Sequence, residues 1–138
     1  MSVELKLSIL SPERKLVDSL SVEEVTLTGS EGQIQILPGH VPMIGTMTTG
    51  MFVYRAHGKD AVLGVISNGF FQIQDDGVRV LAETVELSGE IDLDRAKRAQ
   101  TLSEETLQAA DLDPQHYRKY QLKLQRALIR QQIAGHNF

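Results

Sequence analysis

The chain has 138 residues, a formal net charge of −4, no cysteine, no tryptophan and an aromatic content of 5%. That length buries a core without staples. The missing cysteines exclude disulfides, thiolate metal sites and cysteine nucleophiles, and the scarcity of aromatics argues against a platform for stacking bases. Met1 to Leu10 lacks a basic start and an apolar run, unlike a signal peptide. The longest apolar stretch, near Ala61 to Ile66, is far too short to span a bilayer, so a membrane role is expected to come through a partner.

Charge and texture both change near residue 90. Residues 1–90 hold six basic and twelve acidic side chains, whereas residues 91–138 hold eight and six. After Pro114 the basic residues Arg118, Lys119, Lys123, Arg126 and Arg130 meet no acid. A basic end on an acidic protein points to an anionic partner for that end. Domains are expected at 1–88 and 89–138.

In chain order, Val3, Leu5, Leu7 and Ile9 alternate with polar residues, the period of a half-buried strand. Val25 to Leu27 follows, then the turn Gly29-Ser30-Glu31-Gly32, then alternating Ile34 and Ile36. Pro38 and Pro42 keep the next segment out of any central strand. Met51 to Ala56, Ala61 to Ile66, Phe70 to Gln74 and Val78 to Ala82 are further strand candidates. Gly58-Lys59-Asp60 and Asp75-Asp76-Gly77 have hairpin-turn chemistry. Short strands at such spacing predict an antiparallel sandwich or barrel.

Beyond residue 90 two helices are predicted. Asp92 is placed to N-cap the first, on which Ala96, Ala99, Ser103, Thr106, Leu107 and Ala110 recur at helical spacing. Small side chains in such a row let a second helix approach closely. The break runs from Ala110 to Asp113, and Asp113-Pro114 is a cap followed by proline at the first helical position. The second helix is expected to stop at Gly135, making an antiparallel hairpin. On it Tyr117, Tyr120, Leu124, Ala127 and Leu128 form one apolar face, and Leu122, Ile129 and Ile133 a second. Lys119, Lys123, Arg126 and Arg130 form a basic row between them. The hairpin covers one face. The other either docks on a different protein or packs on the acidic first half, and a helix that does both is a switch.

No catalytic constellation is present. There is no phosphate-binding Gly-rich loop, the histidines His40, His57, His116 and His136 lack metal-ligand spacing, and Asp75-Asp76-Gly77 reads as a turn rather than a calcium loop. A sugar-binding or enzymatic sandwich is disfavoured by the same gaps.

Thr28-Gly29-Ser30-Glu31-Gly32, followed by Ile36-Leu37-Pro38-Gly39-His40-Val41-Pro42, resembles the signature of the epsilon subunits of F-type ATP synthases. Ser67-Asn68-Gly69 stands where that family usually has Ser-Gly-Gly, with Asn68 the departure. Ile91-Asp92-Leu93-Asp94-Arg95-Ala96 resembles the opening of its helical tail, and Gln125-Arg126-Ala127-Leu128 with Arg130 its second helix. The likeness runs the length of the chain in order.

The resemblance implies a ten-stranded β-sandwich followed by a helix-loop-helix, an α+β fold, in a rotor subunit with no catalytic residues of its own. It implies contact with the gamma subunit and with the polar loops of the membrane c-ring, the latter near Glu31, Gln33, His40 and Pro42. It further implies a tail that folds down on the sandwich or extends along gamma into the catalytic alpha/beta hexamer, inhibiting ATP hydrolysis. There the apolar Leu122, Ile129 and Ile133 would wedge against gamma, while the basic Lys119, Lys123, Arg126 and Arg130 would grip acidic segments. No cofactor is required, but some members bind regulatory ATP, which carries over to Glu86, Asp92, Arg95, Ala96, Arg126 and Arg130. The implied setting is ATP synthesis coupled to hydrogen-ion transport, peripheral on the cytoplasmic face of a bacterial inner membrane.

Overall fold

The computed structural model describes residues 4–109 and 112–134. Val3, Ala110, Asp111, Gly135 and His136, invoked above, lie outside them. Seven strands come first: β1 (Leu5–Leu10), β2 (Lys15–Gly29), β3 (Gly32–Ile36), β4 (Met43–Met47), β5 (Gly50–Ala56), β6 (Val62–Gln74) and β7 (Gly77–Leu87). A 3-10 turn, Ser88–Glu90, leads to the helices α1 (Leu93–Gln108) and α2 (Pro114–Ala134).

Three strands are long because each serves both layers. The first part of β2 pairs with β1, and its second part with β3 and β5. The first part of β6 pairs with β5 and its second with β4. The start of β7 lies parallel to β1, and its end continues beside the first part of β6. The ten expected strand segments are therefore carried on seven continuous strands. One layer contains β1, β4 and the adjoining arms of the long strands. The other contains β3, β5 and the remaining arms.

The long strands bend where the backbone permits. Asn68 sits at φ 47°, in the left-handed region that asparagine tolerates better than most residues, midway along β6. Ser19, at φ 52°, marks the irregular first part of β2, where register shifts against β1. That arm (residues 15–22) was not expected, since Lys15, Asp18 and Ser19 blur its alternation. Nor was β4, which follows directly on Pro42.

The sandwich core is continuous. Leu5, Leu7 and Ile9 of β1, Val25 and Leu27 of β2, Phe52 of β5, Phe71 and Ile73 of β6, and Val78 and Val80 of β7 are buried together. No residue of α1 or α2 belongs to this cluster, so the main core of the head is built from strand residues alone. At Gly64 a Cβ would lie 2.5 Å from both the Phe52 ring and the Glu86 carbonyl oxygen, so only glycine lets β6 pass there.

Candidate functional site

The tail folds back onto the head, and α2 makes the contact. Its buried residue Ala127 lies one turn before Gln131, which bonds to α1, and the buried residues of α1 are Ala96 and Ser103. Small side chains at the seam permit the close approach expected of them. Gln131 Nε2 adds a 2.6 Å hydrogen bond to Gln100 Oε1 across the pair. On the other face Ile133, 2% exposed, joins Leu63 and Val65 of β6, with Ile129, Met51, Val53 and Ile91 packed around them. Of the two alternatives for that face, this conformation realises packing on the chain's own head.

The fit covers only part of what periodicity assigned to the two faces. Leu122 is 40% exposed, Tyr117 44% and Leu128 45%. At 3.6 residues per turn Tyr117 and Leu128 lie about 80° and 100° around the axis from Ala127, at the edge of the helix seam.

The basic row lies between the two faces, and its last two members turn inward. Arg130 Nε stands 2.9 Å from Glu86 Oε1 at the end of β7, an ion pair with both side chains about two-thirds covered. The N–H does not point at the oxygen. Glu86 Oε1, Arg130 Nε and the Nε of Arg126, one turn earlier, are thus buried without a hydrogen bond. Buried polar atoms are normally satisfied, so the seam holds two guanidinium edges with unused donor capacity. Lys119 and Lys123 remain exposed, their ammonium groups 6.0 and 4.9 Å from the Tyr120 ring centre.

Asp92 caps α1 as expected, its Oδ1 accepting from Arg95 N at 3.0 Å. Arg95 is exposed and makes no ion pair with Asp92 or Asp94, while Ala96 is buried in the helix seam. Asp113 caps α2, accepting from His116 N at 2.8 Å, and its second oxygen meets His116 Nδ1 at 2.8 Å. These bonds hold the Asp113 carboxyl below its usual range.

Sequence reasoning missed the clamp at the junction. Arg14, in the turn between β1 and β2, donates to both oxygens of Glu90, at 2.8 and 2.7 Å, and to the Val85 carbonyl at 3.1 Å. Glu90 Oε1 also accepts from Leu87 N at 2.9 Å. The Arg14 guanidinium and the Leu87 N–H together depress the Glu90 carboxyl to about 2. No local pattern links residues 76 positions apart, so nothing in the sequence signalled this pair.

The remaining site residues form the rim of the head. Ser30-Glu31 is a tight turn between the paired Gly29 and Gly32, tied to β4 by Ser30 N to Thr46 O at 2.9 Å. Glu31 and Gln33 are exposed there. His40 and Pro42 lie at the opposite end of β3, on the order of 17 Å away along the strand. Their loop is fixed by Gly39 N, which donates to Asp76 Oδ1 at 2.8 Å. Beside Pro42, Val41 is 69% and Ile44 73% exposed, an apolar edge the sequence reading did not single out.

Comparison with known proteins matches this two-part organisation. Residues 4–88 match the family described as ATP synthase, Delta/Epsilon chain, beta-sandwich domain, and residues 90–135 match ATP synthase, Delta/Epsilon chain, long alpha-helix domain. The chain belongs to the ATP synthase delta/epsilon family. An ATP synthase epsilon chain from Trichlorobacter lovleyi is 42% identical over 135 residues, covering 98% of this chain and 96% of that one. One from Geobacter sulfurreducens is 38% identical with the same coverage. Among solved structures, a chain of the Euglena gracilis mitochondrial ATP synthase superposes with a TM-score of 0.83 at 19% identity, covering 93% of this chain and 79% of its own. One from the central stalk and c-ring of the Tetrahymena thermophila enzyme gives 0.68 at 9%, covering 94% and 96%. Family membership thus rests on sequence, and the two solved structures add likeness of fold. Among the described residues no cluster of metal-ligating side chains occurs, and no helix is long and apolar enough to cross a membrane.

Proposed function

We propose that this chain is the non-catalytic epsilon-type rotor subunit of the central stalk of an F-type ATP synthase, and that its tail is a brake on ATP hydrolysis. The observation that carries this is the family match of both parts, in order and nearly end to end. The subunit is a peripheral part of a membrane-associated complex. With bacterial epsilon chains as its relatives, the reading extends to the cytoplasmic face of a bacterial inner membrane and to coupling with ion transport.

The rim of the head supplies the contacts to the gamma subunit and the polar loops of the c-ring. Glu31 on its turn and Gln33 at the start of β3 are displayed at one end of that strand, and His40 and Pro42 at the other, where apolar Val41 and Ile44 stand beside Pro42. Ordered turns bearing exposed apolar side chains suit a permanent partner. For the tail the chemistry is steric and electrostatic. Undocked, α2 would free Leu122, Ile129 and Ile133 as an apolar face. Its basic row, Lys119, Lys123, Arg126 and Arg130, would then meet acidic segments of the alpha/beta hexamer.

We propose that regulatory ATP is held along the docked seam, a reading that the adjacency of Glu86 and Arg130 supports. Arg126 and Arg130 have unsatisfied donors for a phosphate chain. Glu86 offers a carboxylate to an amino group, and Ala96 is the buried small residue of α1 in this set. Asp92 and Arg95 flank the start of α1. A ligand that binds only the docked form draws the population toward it and relieves the brake. Calorimetry with ATP and a pull-down with the cognate gamma subunit test the two halves separately. Binding of ATP that is lost in Arg126→Ala, with gamma capture unchanged, supports both. Binding of ATP without capture of gamma would leave a free-standing sensor. Capture of gamma without ATP binding would remove the nucleotide and keep the rotor subunit.

A further inference from the structure

The junction between head and tail is a single strand of chain, the 3-10 turn Ser88–Glu90, and its attachment is built from long-range contacts. The turn between β1 and β2 is itself rigid: Ser11 N donates to Arg14 O at 2.8 Å, and Arg14 N to Ser11 Oγ at 3.2 Å. That fixes the base of the Arg14 side chain on the head. Its guanidinium then makes a two-pronged bond to Glu90 and a third bond to the Val85 carbonyl, beside the last paired residues of β7. Glu90 turns back to accept from Leu87 N, and Ile91 N closes the turn on Ser88 O at 3.3 Å. The next side chain, Ile91, packs in the small cluster that seats Ile129 and Ile133.

From this arrangement we infer that Arg14 is a latch: by clamping Glu90 it fixes the turn that launches the tail, and so stabilises the docked position of α1 and α2. The inference rests on the proposal that the tail moves, and adds the residue that holds its pivot. Two-pronged arginine–carboxylate pairing is directional as well as attractive. A pivot held by it loses orientation, and not merely charge, when either partner is removed. Among the described residues the attachment also includes the Ile129–Ile133 seat and the Glu86–Arg130 contact, and the clamp is the part that bears on the pivot itself. Arg14 and Glu90 are both partly exposed, which limits the effect of losing either to roughly fivefold in the docked-to-undocked ratio.

The chain has no cysteine, so Lys59→Cys and Gln115→Cys place the only two spin labels on the intact protein, one on the head and one on α2. Their distance distribution reads docking directly. Arg14→Ala should raise the undocked fraction roughly fivefold. Glu90→Gln should do nearly the same, and the double variant should be no worse than Arg14→Ala alone, because the two act as a unit. Additive effects, or an unchanged distribution in Arg14→Ala, would overturn the latch. Ile133→Asp serves as the control for mobility. If it undocks the tail and Arg14→Ala does not, the latch is wrong and the moving tail stands. If neither undocks it, the moving tail is wrong and the latch falls with it.

Discussion

Replacing Ile133 by alanine should loosen the tail and spare the head. Ile133 is 2% exposed and sits on Leu63 and Val65, away from the main core. Truncating a buried isoleucine to alanine costs about 2–5 kcal/mol. Its neighbours Met51, Val53, Ile91 and Ile129 are only partly covered, so the site can relax and the low end, about 2 kcal/mol, applies. That is on the order of a thirtyfold drop in the docked-to-undocked ratio. Hydrogen exchange resolves where the loss falls. Amides of α2 should exchange faster by about that factor, while those of β1, β6 and β7 around Phe71 and Val80 keep their protection. Equal loss of protection in head and tail would refute the reasoning, since it would mean one cooperative unit. Unchanged exchange in α2 would refute the assigned seat.

Three further outcomes follow from the same geometry. Glu90 should titrate near 2 by carbon-detected NMR, and return toward the ordinary carboxylate range in Arg14→Ala. Because its folded value is depressed, its contribution is fully present above about 4.5 and lost as pH falls toward 2. Solvent screening at this partly exposed pair limits it to about 1 kcal/mol, and Glu90→Gln should flatten that window. Gly64→Ala should lower thermal stability by about 1–3 kcal/mol, since its methyl would meet the Phe52 ring and the Glu86 carbonyl; an unchanged melting curve would contradict that crowding. Asn68→Ala should cost about 1 kcal/mol in denaturant unfolding, whereas Asn68→Gly should be near neutral, because φ is 47° there.

The legible parts of the molecule were those set by local chemistry. Asp92 and Asp113 announced their caps because a carboxylate before a helical run has few other uses there. The Ser30-Glu31 turn and the alternation of Leu5, Leu7 and Ile9 were equally plain. The continuity of β2 and β6 was hidden, because a strand crossing from one layer to the other shows no single burial phase, and residues such as Ser19 and Asn68 read as breaks. Periodicity finds both faces of α2 but cannot say how far each is covered, and Leu122, Tyr117 and Leu128 stay partly exposed in this conformation. The candidate nucleotide residues were suggested by resemblance. Glu86 and Arg130 prove adjacent, with Arg126 beside them, while Arg95 stays in solvent. The Arg14–Glu90 clamp depends on tertiary structure alone and leaves no trace in local pattern.

The rotor-brake account is tested most directly by ATP hydrolysis in a matched catalytic core stripped of its epsilon subunit. The core would be reconstituted with this chain at full length or truncated after Glu90, where the head ends. The account predicts that both forms bind and only the full-length chain slows hydrolysis. Binding without inhibition by either form would leave a coupling subunit with no brake, and failure of either form to bind would contradict the assignment to the stalk.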